Sequence, residues 1–276
     1  MTYKTLMVHT EPGRSNANLL LATADFAERF DASVMGVALC QPMRIVYSEG
    51  YVPGELIQQD REQREKELAE AEAEFNDALR TRVRSLDWRS AVTDEPLSDY
   101  LAREARGADL LITGVDKNVS VFDRSRHLNI GDLVMQAGRP VLVVPATVAR
   151  FRFDRVLVGW KDTRETRRAI TDALPILEKA DNVQIVEIAA PDDLDMVRER
   201  LADVVAWLGR HGVTAESTAL ASIGDDAHRL QSFVEEHKAD LIVAGAYGHS
   251  RVREWVLGGV TRDLLLRAEC CALVSH

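Results

Sequence analysis

The chain repeats itself, and the repeat restricts its fold more than any other feature. Ala108-Asp109-Leu110 recurs as Ala239-Asp240-Leu241, Gly114 as Gly245, Asp132-Leu133 as Asp263-Leu264 and Ala137 as Ala268, all 131 residues apart. At the front of each copy, the residues from Tyr3 to Val8, YKTLMV, match those from Phe153 to Val158, FDRVLV, 150 residues apart. Two copies of one series must satisfy the same packing demands, so they are expected to fold alike. The two spacings differ by 19 residues, which places an insert in the first copy, most economically within 40–75.

Each copy alternates between two periodicities. Short apolar runs of strand length fall at 3–9, 34–39, 88–92, 108–114 and 141–144, and again at 154–159, 183–189, 214–220, 241–244 and 271–274. Helical patterns separate them. In the first copy these cover 17–30, with Ser15 or Asn16 as cap, then 56–86, a stretch after Pro96, and 129–137. In the second they run from a cap at Asp162 or Thr163 to 178, then 194–209, 226–237 and 262–267. Strands alternating with helices build a mostly parallel sheet covered on both faces. The expected fold is α/β, with two tandem Rossmann-like domains of five parallel strands each. Ligands of such sheets lie beyond the carboxyl ends of the strands, where the strand order reverses.

One stretch carries chemistry. The strand Leu241–Ala244 stops at Gly245, and Gly248, Gly258 and Gly259 follow before Thr261 opens a helix. Glycines let backbone approach an anion closely, and a helix start offers unpaired N–H groups with a partial positive charge. Together they form a phosphate cradle, in which Gly245, Gly248, Gly258, Gly259 and Val260 contribute backbone, His249 lies in the loop and Thr261 adds a hydroxyl. Across the crevice stand Gly159, Trp160, Lys161 and Asp162, at the end of the copy's first strand. In the first copy the cradle positions are Gly114, Lys117, His127, Leu128 and Ile130, so only the first glycine is retained. The site is therefore expected once per chain, in the second copy.

The spacing G-x2-G-x9-G at Gly245, Gly248 and Gly258 resembles the nucleotide-binding signature of the universal stress protein family. Gly259 stands where that signature has Ser or Thr. The whole chain resembles a tandem member, with one domain at 1–146, carrying the insert at 40–75, and another at 151–276. The resemblance implies strand order 3-2-1-4-5 in each domain. It also implies an intrachain pseudo-dimer joining Val141–Val144 to Ala272–Ser275, with further homodimerisation left open. The implied ligand is ATP or a related adenine nucleotide, AMP or ADP, with or without Mg, and an unidentified protein partner is implied. Nucleotide-binding members end their first strand in an acid that contacts the nucleoside. That position is Glu11 in the first copy and Lys161, beside Asp162, in the second. The alternative is an interaction module of the same family that works without nucleotide.

Composition narrows the function classes. The net charge is −10. Residues 1–145 hold 17 Lys and Arg against 23 Asp and Glu, and 146–276 hold 17 against 21. Neither half is basic, so no nucleic-acid domain is expected. Three cysteines, Cys40, Cys270 and Cys271, suit neither a disulfide framework nor a zinc site. No apolar run reaches membrane-spanning length and the first residues lack a signal-peptide core, so no membrane association and a cytoplasmic location are expected. The chain has no G-x4-G-K-[ST] and no G-x-S-x-G. With no convergent base, nucleophile or metal cluster, nothing beyond slow ATP hydrolysis is expected.

Overall fold

A computed structural model describes residues 2–42, 54–115, 128–246 and 270–276. The first half runs β1 (Thr5–Thr10), α1 (Ala17–Phe30), β2 (Ser33–Cys40), α2 (Gly54–Leu79), β3 (Leu86–Val92), α3 (Leu97–Glu104), β4 (Leu110–Val115), α4 (Ile130–Ala137) and β5 (Val141–Pro145). The second runs β6 (Arg155–Gly159), α5 (Arg164–Leu177), β7 (Asn182–Ala189), α6 (Leu194–Arg210), β8 (Ala215–Ala221), α7 (Asp226–His237), β9 (Leu241–Gly245) and β10 (Cys271–Ser275). The helix expected at 262–267 lies outside the described residues.

Local chemistry explains the helix limits. Thr163, rather than Asp162, caps α5, its side chain accepting from the Thr166 N–H. Asp162 instead pairs with Arg167 at 2.6 Å. α1 ends at Asp31, which takes a left-handed conformation at φ 49°. Thr23 belongs to the buried face of α1 because its hydroxyl is satisfied by the Leu19 carbonyl at 2.8 Å. α2 stops at Leu79, short of the expected Leu86. The N–H groups of Arg82 and Val83 both turn back to the Leu79 carbonyl, and Leu86 opens β3 instead. Arg82 is drawn onto α1 by Asp25 and Glu28, at 2.8 and 2.6 Å.

The ten strands of the described residues join one sheet in the order β3-β2-β1-β4-β5-β10-β9-β6-β7-β8. Each half thus has the expected 3-2-1-4-5 order. Pairing within each half is parallel, and among the described residues the one antiparallel ladder is β5 with β10, in the register Val143–Ala272, Leu142–Leu273 and Val141–Val274. Their side chains are buried, so an apolar seam replaces two strand edges that would otherwise be exposed. Because the seam is antiparallel, the carboxyl ends of the two sets of strands point to opposite ends of the sheet.

Side chains alternate across the sheet and sort the core into layers. Leu6 and Val8 of β1 face α1 and α2, in a cluster that continues through Val156 and Val158 to α5 and α6. Met7 and Leu111 face α3 and α4. Leu157 and Ile242 face α7. The residues between the halves pack as core rather than as a free linker. Phe151 and Phe153 join Phe26 and Phe30 at ring separations of 5.2 to 6.0 Å. Tyr3 completes the group, its hydroxyl donating to the Asp172 carbonyl of the other half at 2.6 Å. Among the described residues no helix is long and apolar enough to cross a membrane.

Removing a ring from this cluster should loosen both halves together. Phe153→Ala, at a fully buried position, is expected to cost about 3–5 kcal/mol. Urea unfolding should remain one transition at a lower midpoint; a separate early transition of one half would show that the halves are not coupled through these rings.

Candidate functional site

The strand order reverses between β6 and β9 in the second half, and between β1 and β4 in the first. Each reversal opens a crevice at the carboxyl ends of those strands. In the second half, parallel pairing sets Gly159 against Ala244, with Gly245 next along β9. Gly248, His249, Gly258, Gly259, Val260 and Thr261 lie outside the described residues. Lys161 and Asp162 are exposed in the turn after β6. The Trp160 ring is buried in the layer shared with α5, and its Nε1 has no hydrogen-bond partner. Of the residues named from the sequence, Gly159 and Gly245 therefore meet at the crevice. Lys161 and Asp162 stand in the following turn, and the Trp160 ring packs inward.

Gly245 has a second reason to be glycine. A Cβ there would lie 2.5 Å from the Thr166 nitrogen and 2.6 Å from the Glu165 carbonyl carbon, both backbone atoms. The first turn of α5 sits directly against the end of β9. Glu165 is buried and paired with Arg164, so this helix start carries its own acid. Gly114, the equivalent position, meets nothing closer than the Leu19 side chain at 3.8 Å.

The first-half crevice is furnished differently. His9 and Thr113 occupy the positions of Gly159 and Ala244, and their side chains meet, His9 Nδ1 lying 3.2 Å from Thr113 Oγ1. Both are buried. Burial lowers the His9 pKa from 6.5 to about 4, so the ring is neutral near pH 7. Leu128 and Ile130 pack against the core. The α4 start is already capped, with the Asn129 side chain accepting from the Asp132 N–H at 3.2 Å. Lys117 and His127 lie outside the described residues. The contrast of His9 and Thr113 with Gly159 and Ala244 was not singled out from the sequence. The repeat spacings of 150 and 131 contain it, because they align these very pairs.

An open α/β sheet with a crevice at each reversal of strand order defines a class of ligand-binding fold, and comparisons narrow it. Residues 152–276 match the model of the universal stress protein family. This part of the chain is a universal stress protein family domain. A universal stress protein from Archaeoglobus fulgidus DSM 4304 is similar in structure over 98% of this chain and 95% of its own, at TM-score 0.70 and 16% identity. A functionally unknown protein from Pseudomonas aeruginosa PAO1 is similar over 99% and 92%, at TM-score 0.63 and 14% identity. At such identities the likeness establishes the shared fold over both halves, not a shared function. A comparison with curated proteins finds no match.

Two substitutions test this description. Gly245→Ala should lower stability by about 1–3 kcal/mol, since backbone must move to admit the methyl group, whereas Gly114→Ala should be neutral or stabilising by up to about 1 kcal/mol. Equal melting temperatures for the pair would contradict the close approach of α5. His9 makes stability depend on pH. Its folded pKa lies below the unfolded value, so the unfolded chain takes up the proton first as pH falls. The contribution is whole above about pH 6.5 and is lost progressively toward pH 4, on the order of 3 kcal/mol in full. His9→Gln should flatten that part of the curve in urea titrations at stepped pH.

Proposed function

We propose that this chain is a universal stress response protein that binds ATP, or the related ADP or AMP, in the crevice of its second half, as a regulatory signal rather than a substrate. The reading treats 1–146 and 151–276 as two domains of one family. The observation that carries it is the pairing of Gly159 with Ala244 at the reversal of strand order, where neither residue brings a large side chain to the crevice floor. The glycine spacing from Gly245 to Gly258 starts at this point. The family match covers this half and includes the glycines.

The described residues fit such a ligand in one respect and limit it in another. The small floor leaves room for a nucleoside, and the cradle from Gly248 to Thr261 would take the phosphates. Lys161 would face the phosphates as a cation, in place of the acid at the first-half position Glu11. Among the described residues no group of three or more His, Cys, Asp or Glu could hold a metal ion; in this reading any Mg comes with the phosphates.

A second reading, an interaction module that has dispensed with nucleotide, is favoured by Lys161 and Gly259, the two departures from the family pattern. Protein purified without added nucleotide, denatured and analysed for adenine compounds, separates the two. So does melting in millimolar ATP, since ligand at 100 times Kd adds about 2.7 kcal/mol. Gly248→Val is expected to abolish the shift and Lys117→Ala to leave it intact. No co-purified nucleotide and no shift would favour the second reading, and equal effects of the two substitutions would move the site out of the second half.

A further inference from the structure

α2 outruns the core it packs on. It spans 26 residues against 17 for α6, its counterpart in the second half. The side of α2 that meets the sheet carries Leu68, Ala71, Phe75 and Leu79, all buried. Their helical period continues backward through Arg64 to Ile57. Arg64 is still buried, its guanidinium 3.0 Å from Asp60 and 3.7 Å from Glu67. Ile57 is not; it is 50% exposed, and its neighbour Leu56 is 48% exposed. The core-facing stripe thus runs on for two turns after the core has ended.

The overrun leaves a groove of about 370 Å³ between the first turns of α2 and the end of β3. Ile57, Pro42 and Val92 give it apolar walls, and Asp60, Arg61 and Glu65 add to its lining. Val92 ends β3, the outermost strand of the first half, and is 46% exposed. Single exposed apolar residues are ordinary on a protein surface, but several gathered around one groove mark an interaction surface.

The charge of α2 indicates what such a surface would take. The helix holds 9 Asp and Glu against 3 Lys and Arg, whereas α6 holds 3 against 3. The fold does not need this acidity, since α6 does without it in the equivalent place. Glu67 and Glu74 are turned toward the β1–α1 turn, where Glu67 lies against Gly13 and Glu74 accepts from the Asn16 N–H. Glu55, Glu62, Glu70, Glu72 and Asp77 are exposed. A second copy is a poor occupant of the groove, because it would bring the same acidic helix with it. A basic segment with an apolar side chain complements both features at once.

We propose that the groove between α2 and β3 is a docking site for a basic segment of another protein that presents an apolar anchor. The anchor enters between Ile57 and Val92, and the lysines or arginines around it lie along the acidic flank of α2. The apolar contact holds the segment in one place, and the charge speeds its approach and selects it over acidic competitors. The site is independent of the nucleotide reading, because it lies at the outer edge of the first half.

Fluorescence anisotropy on the full chain tests it with three labelled peptides. One is built of leucine and lysine and can form an amphipathic helix, one is an oligolysine of equal charge, and one is built of leucine and glutamate. Ile57→Gln with Val92→Thr removes the apolar walls, and Glu55→Gln with Glu62→Gln removes charge beside the groove. All four positions are exposed, so both double variants should melt with the parent chain and show its response to ATP. The leucine–lysine peptide is expected to bind saturably, about tenfold more weakly in the first variant and several-fold more weakly in the second. The oligolysine should bind more weakly and be indifferent to the first variant, and the leucine–glutamate peptide should not bind. Absence of saturable binding by the leucine–lysine peptide, equal binding of the oligolysine, or binding undiminished in the first variant would overturn the proposal. So would sedimentation showing a dimer of the parent chain that the first variant abolishes, which would make a second copy the occupant.

Discussion

The antiparallel ladder between β5 and β10 is the interaction on which the rest of the molecule depends. A five-stranded parallel half would end in an apolar edge strand with unpaired backbone groups. Here each half ends in such a strand, and each satisfies the other. Leu142 and Leu273 sit opposite one another in the ladder, and both are buried. The pairing makes one ten-stranded sheet of two similar halves and turns their crevices to opposite ends. The aromatic group of Tyr3, Phe26, Phe30, Phe151 and Phe153 locks the same joint from the face, which is why the short connection between halves is core rather than tether.

Within that frame the halves have diverged at the point where such folds bind ligands. The difference is one of volume at a few positions. Gly159 and Ala244 add no large side chain to the second crevice floor, while His9 and Thr113 meet in the first as a neutral, hydrogen-bonded pair. The same trade runs in reverse behind the strands. In the second half α5 starts early and presses on Gly245, closing the space beneath it. In the first half α1 starts late, at Ala17 where the repeat spacing of 150 would start it at 14, held off by the Asn16 turn and Glu74, and a cavity remains. A small change in where a helix begins moves open space from one side of a strand end to the other.

Glu74 ties this divergence to α2. α2 and α6 end at residues 79 and 210, the repeat spacing of 131 apart, so the nine-residue excess of the 26-residue α2 over the 17-residue α6 lies at its start. The added residues, 54–62, include Asp60, which together with Glu67 of the shared part pairs the buried Arg64. Glu67 lies against Gly13, and Glu74 clasps Ser15 and Asn16. Acids of α2 thus fix the β1–α1 turn that α5 fixes in the other half with its own Thr163 cap.

Much of the architecture was legible in the residues themselves. The periods of 2 and 3.6 marked the strands and helices, since alternation and helical stripes follow from backbone geometry alone. The repeat spacings indicated two like halves, and the loss of every cradle glycine after Gly114 marked the first cradle as altered. Other features depended on contacts between residues far apart in the chain. The sequence could not place the end of α2, because Leu86 continues the helical stripe and only its pairing with Val34 makes it a strand residue. It showed Gly245 as a loop glycine, but not the backbone of Thr166 lying against it. The sequence by itself determined the fold, the order of its parts and the one glycine loop, because these rest on local pattern and repetition. Only the tertiary structure decided which residues meet at each crevice floor and where the cavity lies, because both depend on how closely elements far apart in the chain approach one another, a distance that no local pattern encodes.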